Sequence, residues 1–356
     1  IRLGRELACA EEYREHLLEK VLEGKSNRQL VNNIIASTRI FVSTVSSMNS
    51  HSQLLLLKHF NVAIFDESSQ ILEPQIIGLL TNPAIDKFVM IGDHKQLPAV
   101  IVQKEEKSAI ESTLMREIGL TNCRNSLFER LYERYSDNEH IVGMLDHQGR
   151  MHPDISNFAS SLFYGNRLLP VGLEHQTEEL PFIIYNVSEI ETLVATKRMA
   201  FLDIPRPSID EQTPKANRNE ARMIATLVST IDHLYSLTSM PFSPSRHIGI
   251  IVPFRRQIAM VRTELAKKNA AYTDIVTDTV ERYQGSQRDI IIYGTTISNS
   301  YELDILSNIT SLPSGDVDRK LNVAVTRARK QLFILGNAQL LSQNNIYKSL
   351  IDYCNS

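Results

Sequence analysis

Apolar positions along this chain come in two spacings. Short continuous runs that end in Asp, Gly or Pro read as strands buried on both faces, and stripes repeating every three or four residues read as helices. In residues 5–23, Leu7, Tyr13, Leu17, Leu18 and Val21 lie on one helical stripe, and Gly24 follows as a stop. Ser26 is placed to cap a second short helix bearing Leu30, Val31, Ile34 and Ile35. Residues 39–43 read as a strand and residues 44–50 as a polar loop at its end. Residues 62–66 read as a strand buried on both faces, residues 73–80 as a helix with Pro74 near its start, and residues 87–91 as the next strand. Residues 126–135 are helical.

The pattern then begins again. Residues 141–145 read as a strand, 217–234 as a helix, and 247–252, 274–280 and 289–295 as strands, with a helix over 254–268. Residues 321–329 carry Leu321, Val325 and Ala328 on one helical face, and residues 331–336 form the last strand. Residues 172–214 are the least regular part, with strand-like pieces at 182–187 and 199–203, and residues 300–315 read as an exposed loop. Strands alternating with helices predict parallel sheets covered by helices, an α/β fold.

Length and composition narrow this picture. The 356 residues are enough for two domains, and 42% apolar with 22% charged residues is ordinary globular composition. The formal net charge of −3 means that any nucleic-acid site must be a local basic surface. Cys9, Cys123 and Cys354 form no CxxC pair, which argues against a structural metal or a disulfide framework and fits a reducing cytoplasm. No apolar run approaches the ~18 residues of a membrane span. The chain begins at Ile1 rather than Met and reads as a piece of a longer protein.

The chemistry collects at the strand ends. Val62-Ala63-Ile64-Phe65 runs into Asp66 and Glu67. Ligands of parallel α/β sheets sit beyond the carboxyl ends of the strands, where an Asp can hold Mg²⁺ and a neighbouring carboxylate can polarise water. A helix cap is the plainer reading of Asp66. Gly92-Asp93-His94-Lys95-Gln96-Leu97 ends the next strand, and the Gln96 amide can donate and accept toward a phosphate or a water. A simple turn serves the same residues equally. Gln148-Gly149-Arg150-Met151-His152-Pro153 offers the planar fork of Arg150 to phosphate, while His147 and His152 lack partners at metal-ligand spacing and read as hydrogen-bonding residues. Residues 279–289, with Gly285, join two strands as a tight approach or a plain loop. Arg327 and Arg329 diverge from the apolar face of their stretch and are either solvated or aimed at developing phosphoryl charge.

Together these strings resemble motifs II to VI of superfamily 1 helicases, in their order. Those strings are Asp66-Glu67-Ser68-Ser69-Gln70, Gly92 to Leu97, Gln148 to Pro153, Tyr283-Gln284-Gly285 with Asp289, and Leu321 to Arg329. The resemblance covers about residues 39–340 and is nearest the branch that contains the nonsense-mediated-decay helicase. It implies two RecA-like P-loop NTPase-type α/β domains, residues 1–143 and 144–356, the first incomplete at its N-terminus, with ATP bound in the cleft between them. It implies an ATP-dependent DNA or RNA helicase or translocase. Asp66 would bind Mg²⁺, Glu67 would orient water, Gln96 would sense the γ-phosphate, and Arg150 and Arg327 would reach the phosphates. Gly285 and Gln287 would lie by the nucleotide, and Thr44 and Thr279 by the backbone of single-stranded DNA or RNA. Arg255 and Arg256 are further candidates for that track, or simply a solvated helix start.

Three departures from the family pattern matter. No GxxxxGK[ST] occurs, so a phosphate-cradling loop would have to lie upstream, and the chain alone is expected not to hydrolyse ATP. Gly149 replaces the aromatic residue usual before the motif IV arginine, and Gln287 stands in place of Glu. A non-hydrolysing nucleic-acid-binding or scaffold module with the same fold is the competing expectation.

Overall fold

A computed structural model describes residues 1–101, 103–183, 188–205, 214–312 and 315–356. The chain forms two compact units, Ile1–His94 with Pro98–Gly143, and Lys95–Leu97 with Met144–Ser356.

In the first unit, strands β1 (Phe60–Phe65) and β2 (Ile85–Met90) pair in parallel, with Val62 opposite Lys87 and Phe65 opposite Met90. The expected burial of β1 on both faces is not found: Val62 and Ile64 are exposed, as are Phe88 and Val89 on β2. Among the described residues the pair has no third strand, so helix α1 (Glu73–Leu80) covers only part of it, through the buried Ile76 and Leu79. Helix α2 (Leu127–Tyr135) is capped by Ser126, whose hydroxyl accepts from Glu129 N. Its Arg130 makes a bidentate pair with the buried Glu73 of α1.

Several local expectations in this unit are corrected. Residues 5–23 do not form one helix. Leu17 takes an extended conformation and bridges Arg2, which divides the segment into short 3-10 turns and the five-residue helix Leu18–Leu22. Asn27 rather than Ser26 caps the next helix, because its carboxamide oxygen reaches Gln29 N and Leu30 N. The polar stretch after Val42–Ser43 is itself the helix Val45–Ser50, capped by Thr44. Residues 141–145 are not a strand, and His147–Gln148 pairs instead with Leu169–Pro170.

The second unit is a five-stranded parallel sheet between two helical layers. Its strands are β3 (Met199–Asp203), β4 (Ile248–Ile251), β5 (Val276–Asp278), β6 (Arg288–Gly294) and β7 (Ala328–Gly336), in the spatial order β3-β7-β6-β4-β5. Alternation assigns the faces. Ile291, Tyr293, Leu332 and Ile334 point into one core, formed with α3 (Pro153–Phe163), α6 (Arg319–Val325) and α7 (Asn345–Asn355). Ile290, Ile292, Phe333 and Leu335 point into the other, against α4 (Arg218–Ser236) and α5 (Arg255–Lys268). This sheet is buried on both faces, as its near-continuous apolar strands require.

The helix expected over 321–329 stops at Val325. Thr326 Oγ1 donates back to Asn322 O, and Arg327 O accepts Arg288 N, so the chain turns directly into β7. The described residues of 300–315 are not an exposed loop: they form the helix Ser300–Leu306 and the strand Ile309–Leu312, which pairs antiparallel with Gly315–Asp318. The strand-like piece expected at 182–187 falls largely outside the described residues. Among the described residues, no helix is long and apolar enough to cross a membrane.

Candidate functional site

In the first unit the two strand ends meet as the sheet pairing dictates. Ile91 N donates to Phe65 O and Ser68 N donates to Ile91 O, each at 2.8 Å, so Asp66-Glu67 and Gly92-Asp93 lie side by side. A Cβ on Gly92 would come within 2.9 Å of Ser69 N, so this close approach requires glycine. Asp66 is exposed, and its Oδ1 accepts Glu67 N at 2.9 Å. Glu67 holds a left-handed conformation with φ 51°, and its Oε2 accepts Gln70 Nε2. Such a conformation on a non-glycine residue is uncommon and tends to mark functional turns.

In the second unit the cluster forms at the amino ends of β6 and β7, not at the carboxyl ends expected for ligand sites. The short helix Val280–Tyr283 carries the chain back from the end of β5 to Gly285, which takes φ 80° and turns it into β6. Arg327, immediately before β7, is 2% exposed. Its guanidinium donates to Val323 O (3.0 Å), Ser286 O (3.3 Å), Thr326 Oγ1 (3.1 Å) and Gln96 Oε1 (3.2 Å). Arg150 donates from Nε to Gln287 Oε1 at 3.0 Å and from a terminal nitrogen to Thr326 O at 3.1 Å. Arg150, Arg327, Gln96, Gln287 and the turn at Gly285 are thus brought together. Arg329 stands apart, paired with Asp289 at 2.8 Å.

Gln96 reaches this cluster because Lys95–Leu97 packs with the second unit. Lys95 Nζ donates to Phe163 O, Lys95 O accepts Asn322 Nδ2, and Leu97 is buried in the core. A turn alone would not need these anchors.

The loop that presents Arg150 is held by residues that sequence reasoning did not select. Buried Gln148 accepts Arg150 N and Met151 N, and buried Gln176 donates to Gln148 O and Met151 O. His175 Nε2 contacts Arg150 O at 2.9 Å. Gln176 and His175 lie in the segment with the weakest pattern, and no local signal marks them. Gly149 faces Leu173 and Val171, which begin to fill the space beside it. His152 caps α3 through Asp154 N, and burial followed by the Arg198 charge holds its imidazole below its ordinary value. His147 hydrogen-bonds Asp146, which lowers that carboxyl.

The nucleic-acid candidates are dispersed. The Thr44 hydroxyl is spent as a helix cap, accepting Ser47 N at 3.1 Å in the first unit. Thr279 follows the carboxyl end of β5, and exposed Arg255 and Arg256 open α5 after β4. Among the described residues no group of three or more His, Cys, Asp or Glu converges as a metal site. Mg²⁺ in nucleotide sites needs only one or two carboxylates beside substrate phosphates and water, and an exposed carboxylate at a strand end suits that donor set.

Comparison with known proteins agrees with this architecture. Residues 123–339 match one AAA domain family and residues 7–104 match a second. The DNA polymerase alpha-associated DNA helicase A of Saccharomyces cerevisiae is 28% identical over 354 residues, covering 95% of this chain and 48% of that protein. The DNA replication ATP-dependent helicase/nuclease DNA2 of Xenopus laevis is 28% identical over 367 residues, covering 100% of this chain and 32% of that protein. The DNA-binding protein SMUBP-2 of Mesocricetus auratus is 27% identical over 344 residues, covering 95% and 31%. The chain therefore spans half or less of the length of these relatives. The first match alone takes in more than half of the chain: it belongs to the AAA domain family, as a superfamily 1 helicase-like protein.

Proposed function

We propose that this chain is the core of an ATP-dependent helicase or translocase that moves on single-stranded nucleic acid. The observation that carries the reading is the convergence of Arg150, Arg327, Gln96 and Gln287 at the amino ends of β6 and β7. Both arginines offer planar guanidinium forks, the side chain best matched to phosphate oxygens. Asp66 is the residue we assign to Mg²⁺, which with ATP would supply charge neutralisation at the terminal phosphate. Glu67, fixed by Gln70, would hold a water proton. Gln96, bonded to Arg327, would report the state of the phosphate to the rest of the second unit. Thr44, Thr279, Arg255 and Arg256 are assigned to the nucleic-acid backbone, a contact without sequence code. A reducing cytoplasm is the compartment we propose, on the wide spacing of Cys9, Cys123 and Cys354 in the sequence.

The chain as it stands has no GxxxxGK[ST] sequence, and we expect it not to turn over ATP by itself. The test is ATPase activity with and without single-stranded DNA, on this chain and on a version extended upstream through a phosphate-binding loop. Turnover by the extended protein alone, stimulated by DNA, is the expected result. Robust turnover by the shorter chain would overturn the account of the missing lysine. An extended protein that binds ATP and stays silent would establish a non-hydrolysing binding module instead.

A further inference from the structure

At the carboxyl ends of the strands, opposite the arginine cluster, the second unit carries two cations, Lys215 and Arg218, beside the Arg255 and Arg256 already assigned. The start of α4 and the start of α5 are locked together by a buried amide exchange. Asn217 N donates to Gln257 Oε1 at 2.8 Å, and Gln257 Nε2 donates to Asn217 O at 3.0 Å. Gln257 is 0% and Asn217 4% exposed, so this is a built junction rather than a surface contact. Lys215 joins the junction from the α4 side, with Nζ 5.9 Å from the centre of the Phe254 ring and its backbone N–H on Glu302 Oε1.

The junction joins the two helix starts that carry Lys215, Arg218, Arg255 and Arg256, a shelf on which all four are exposed. Among the described residues none of them belongs to an ion pair. Glu220 and Glu302 are buried, bonded to Thr296 and to Ser298 and the Lys215 N–H, and Asp278 at the end of β5 is paired with Arg282. Arg218, Arg255 and Arg256 lie in first helical turns, against the positive end of the peptide dipoles, and Lys215 precedes one of them. The four together, on a chain of net charge −3, form a local field that favours a polyanion. The shelf also continues to Thr279, because Ile251 of β4 is in register with Asp278 at the end of β5.

We propose that Lys215 and Arg218 extend the Arg255–Arg256 pair into a backbone track that grips successive phosphates of a single strand. Lys215 and Arg218 act as phosphate contacts, and the Asn217–Gln257 exchange fixes the spacing between the two halves. This rests on the nucleic-acid reading above and names the surface that serves it.

The test uses the full chain and labelled oligothymidylate and oligouridylate, with binding followed by fluorescence anisotropy across a salt series. The doubly reversed variant Lys215→Glu with Arg218→Glu is compared with Lys268→Glu plus Lys348→Glu, which make the same change of net charge away from the shelf. We expect the shelf variant to lose about tenfold or more in affinity on both oligomers. Its slope of log affinity against log salt should shrink by about 0.7 for each contact removed, and the distal variant should change little. A neutral Lys215→Ala, Arg218→Ala variant with an unchanged melting curve separates contact loss from misfolding and should show the same loss of slope. Equal effects of shelf and distal variants would overturn the track. So would loss of binding on Arg255→Glu with Arg256→Glu but none on the Lys215 and Arg218 variants, a result that leaves the helicase reading standing. Absence of binding by the unaltered chain would overturn both.

Discussion

Glu220 offers a quantitative test of how this core is built. It lies on α4, is 1% exposed, and both its oxygens turn to one residue: Thr296 N donates to Oε2 at 3.0 Å and Thr296 Oγ1 donates to Oε1 at 2.5 Å. Thr296 is itself in the left-handed region, at φ 53°, so this pair holds a disfavoured turn just past β6. Burial is the main influence on Glu220 and pushes its carboxyl from 4.5 up to about 7, against the two bonds from Thr296, which pull the other way. The folded state therefore holds the proton more tightly than the unfolded chain. The stability this provides is fully present below 4.5 and is lost as pH rises through about 7. At ~1.4 kcal/mol per pH unit, the full loss is about 3 kcal/mol, most of which falls between pH ~5 and ~8. Glu220→Gln keeps the shape and can still accept Thr296 N and donate to Thr296 Oγ1. The assay is guanidinium unfolding of both proteins at those two pH values. The variant should gain about 2 to 3 kcal/mol on the unaltered chain between the lower and the higher pH. Parallel pH dependence of the two proteins would mean that Glu220 titrates normally in the folded state, and the burial argument would fail.

Three further outcomes follow from the packing. Glu73→Ala leaves Arg130 charged and largely buried, and should destabilise the first unit by about 3 kcal/mol in thermal unfolding. Replacing the pair together, Glu73→Leu with Arg130→Met, should recover most of that, and no recovery would mean that the pair itself holds α1 to α2. Arg327→Lys removes the planar fork that reaches four acceptors, and should lower ATP turnover of the extended protein by ~10³ or more while the circular dichroism spectrum is kept. Gln287→Glu gives Arg150 Nε a charged acceptor in place of a neutral one, and should stabilise the second unit by about 1 kcal/mol in calorimetry. No gain there would show that Arg150 exchanges Gln287 for water in solution.

The second unit was far more legible in the sequence than the first. Its strands are apolar without interruption, as at Ile248–Ile251 and Ile290 to Ile292, and the structure buries them on both sides. The same pattern at Val62–Ile64 predicted the same burial and failed, because a run of apolar residues records composition and not how many neighbours a strand finds. Periodicity also overran the end of α6: Ala328 keeps helical spacing from Leu321, but the hydroxyl of Thr326 closes the helix first. In the candidate site, Arg150, Arg327 and Gln96 could be picked out by the order of their strings. Gln176 and His175 could not, since the hydrogen bonds by which they hold the Arg150 loop span 25 or more positions. Arg329, which looked equivalent to Arg327, is an ordinary ion-paired strand residue.

The three residues Lys95–Leu97 give the chain an unusual thread. It leaves the first unit at His94, spends one tripeptide in the second, returns at Pro98, and departs for good after Gly143. A cut at residue 143 would therefore not release a self-sufficient second half. The separated piece 144–356 would lack the Leu97 side chain from its core, the Lys95 carbonyl from Asn322, and the Gln96 oxygen from Arg327. A peptide spanning those residues, added back to the truncated half, should bind and restore its melting temperature, which makes the crossing segment a natural reporter of whether the second unit is assembled.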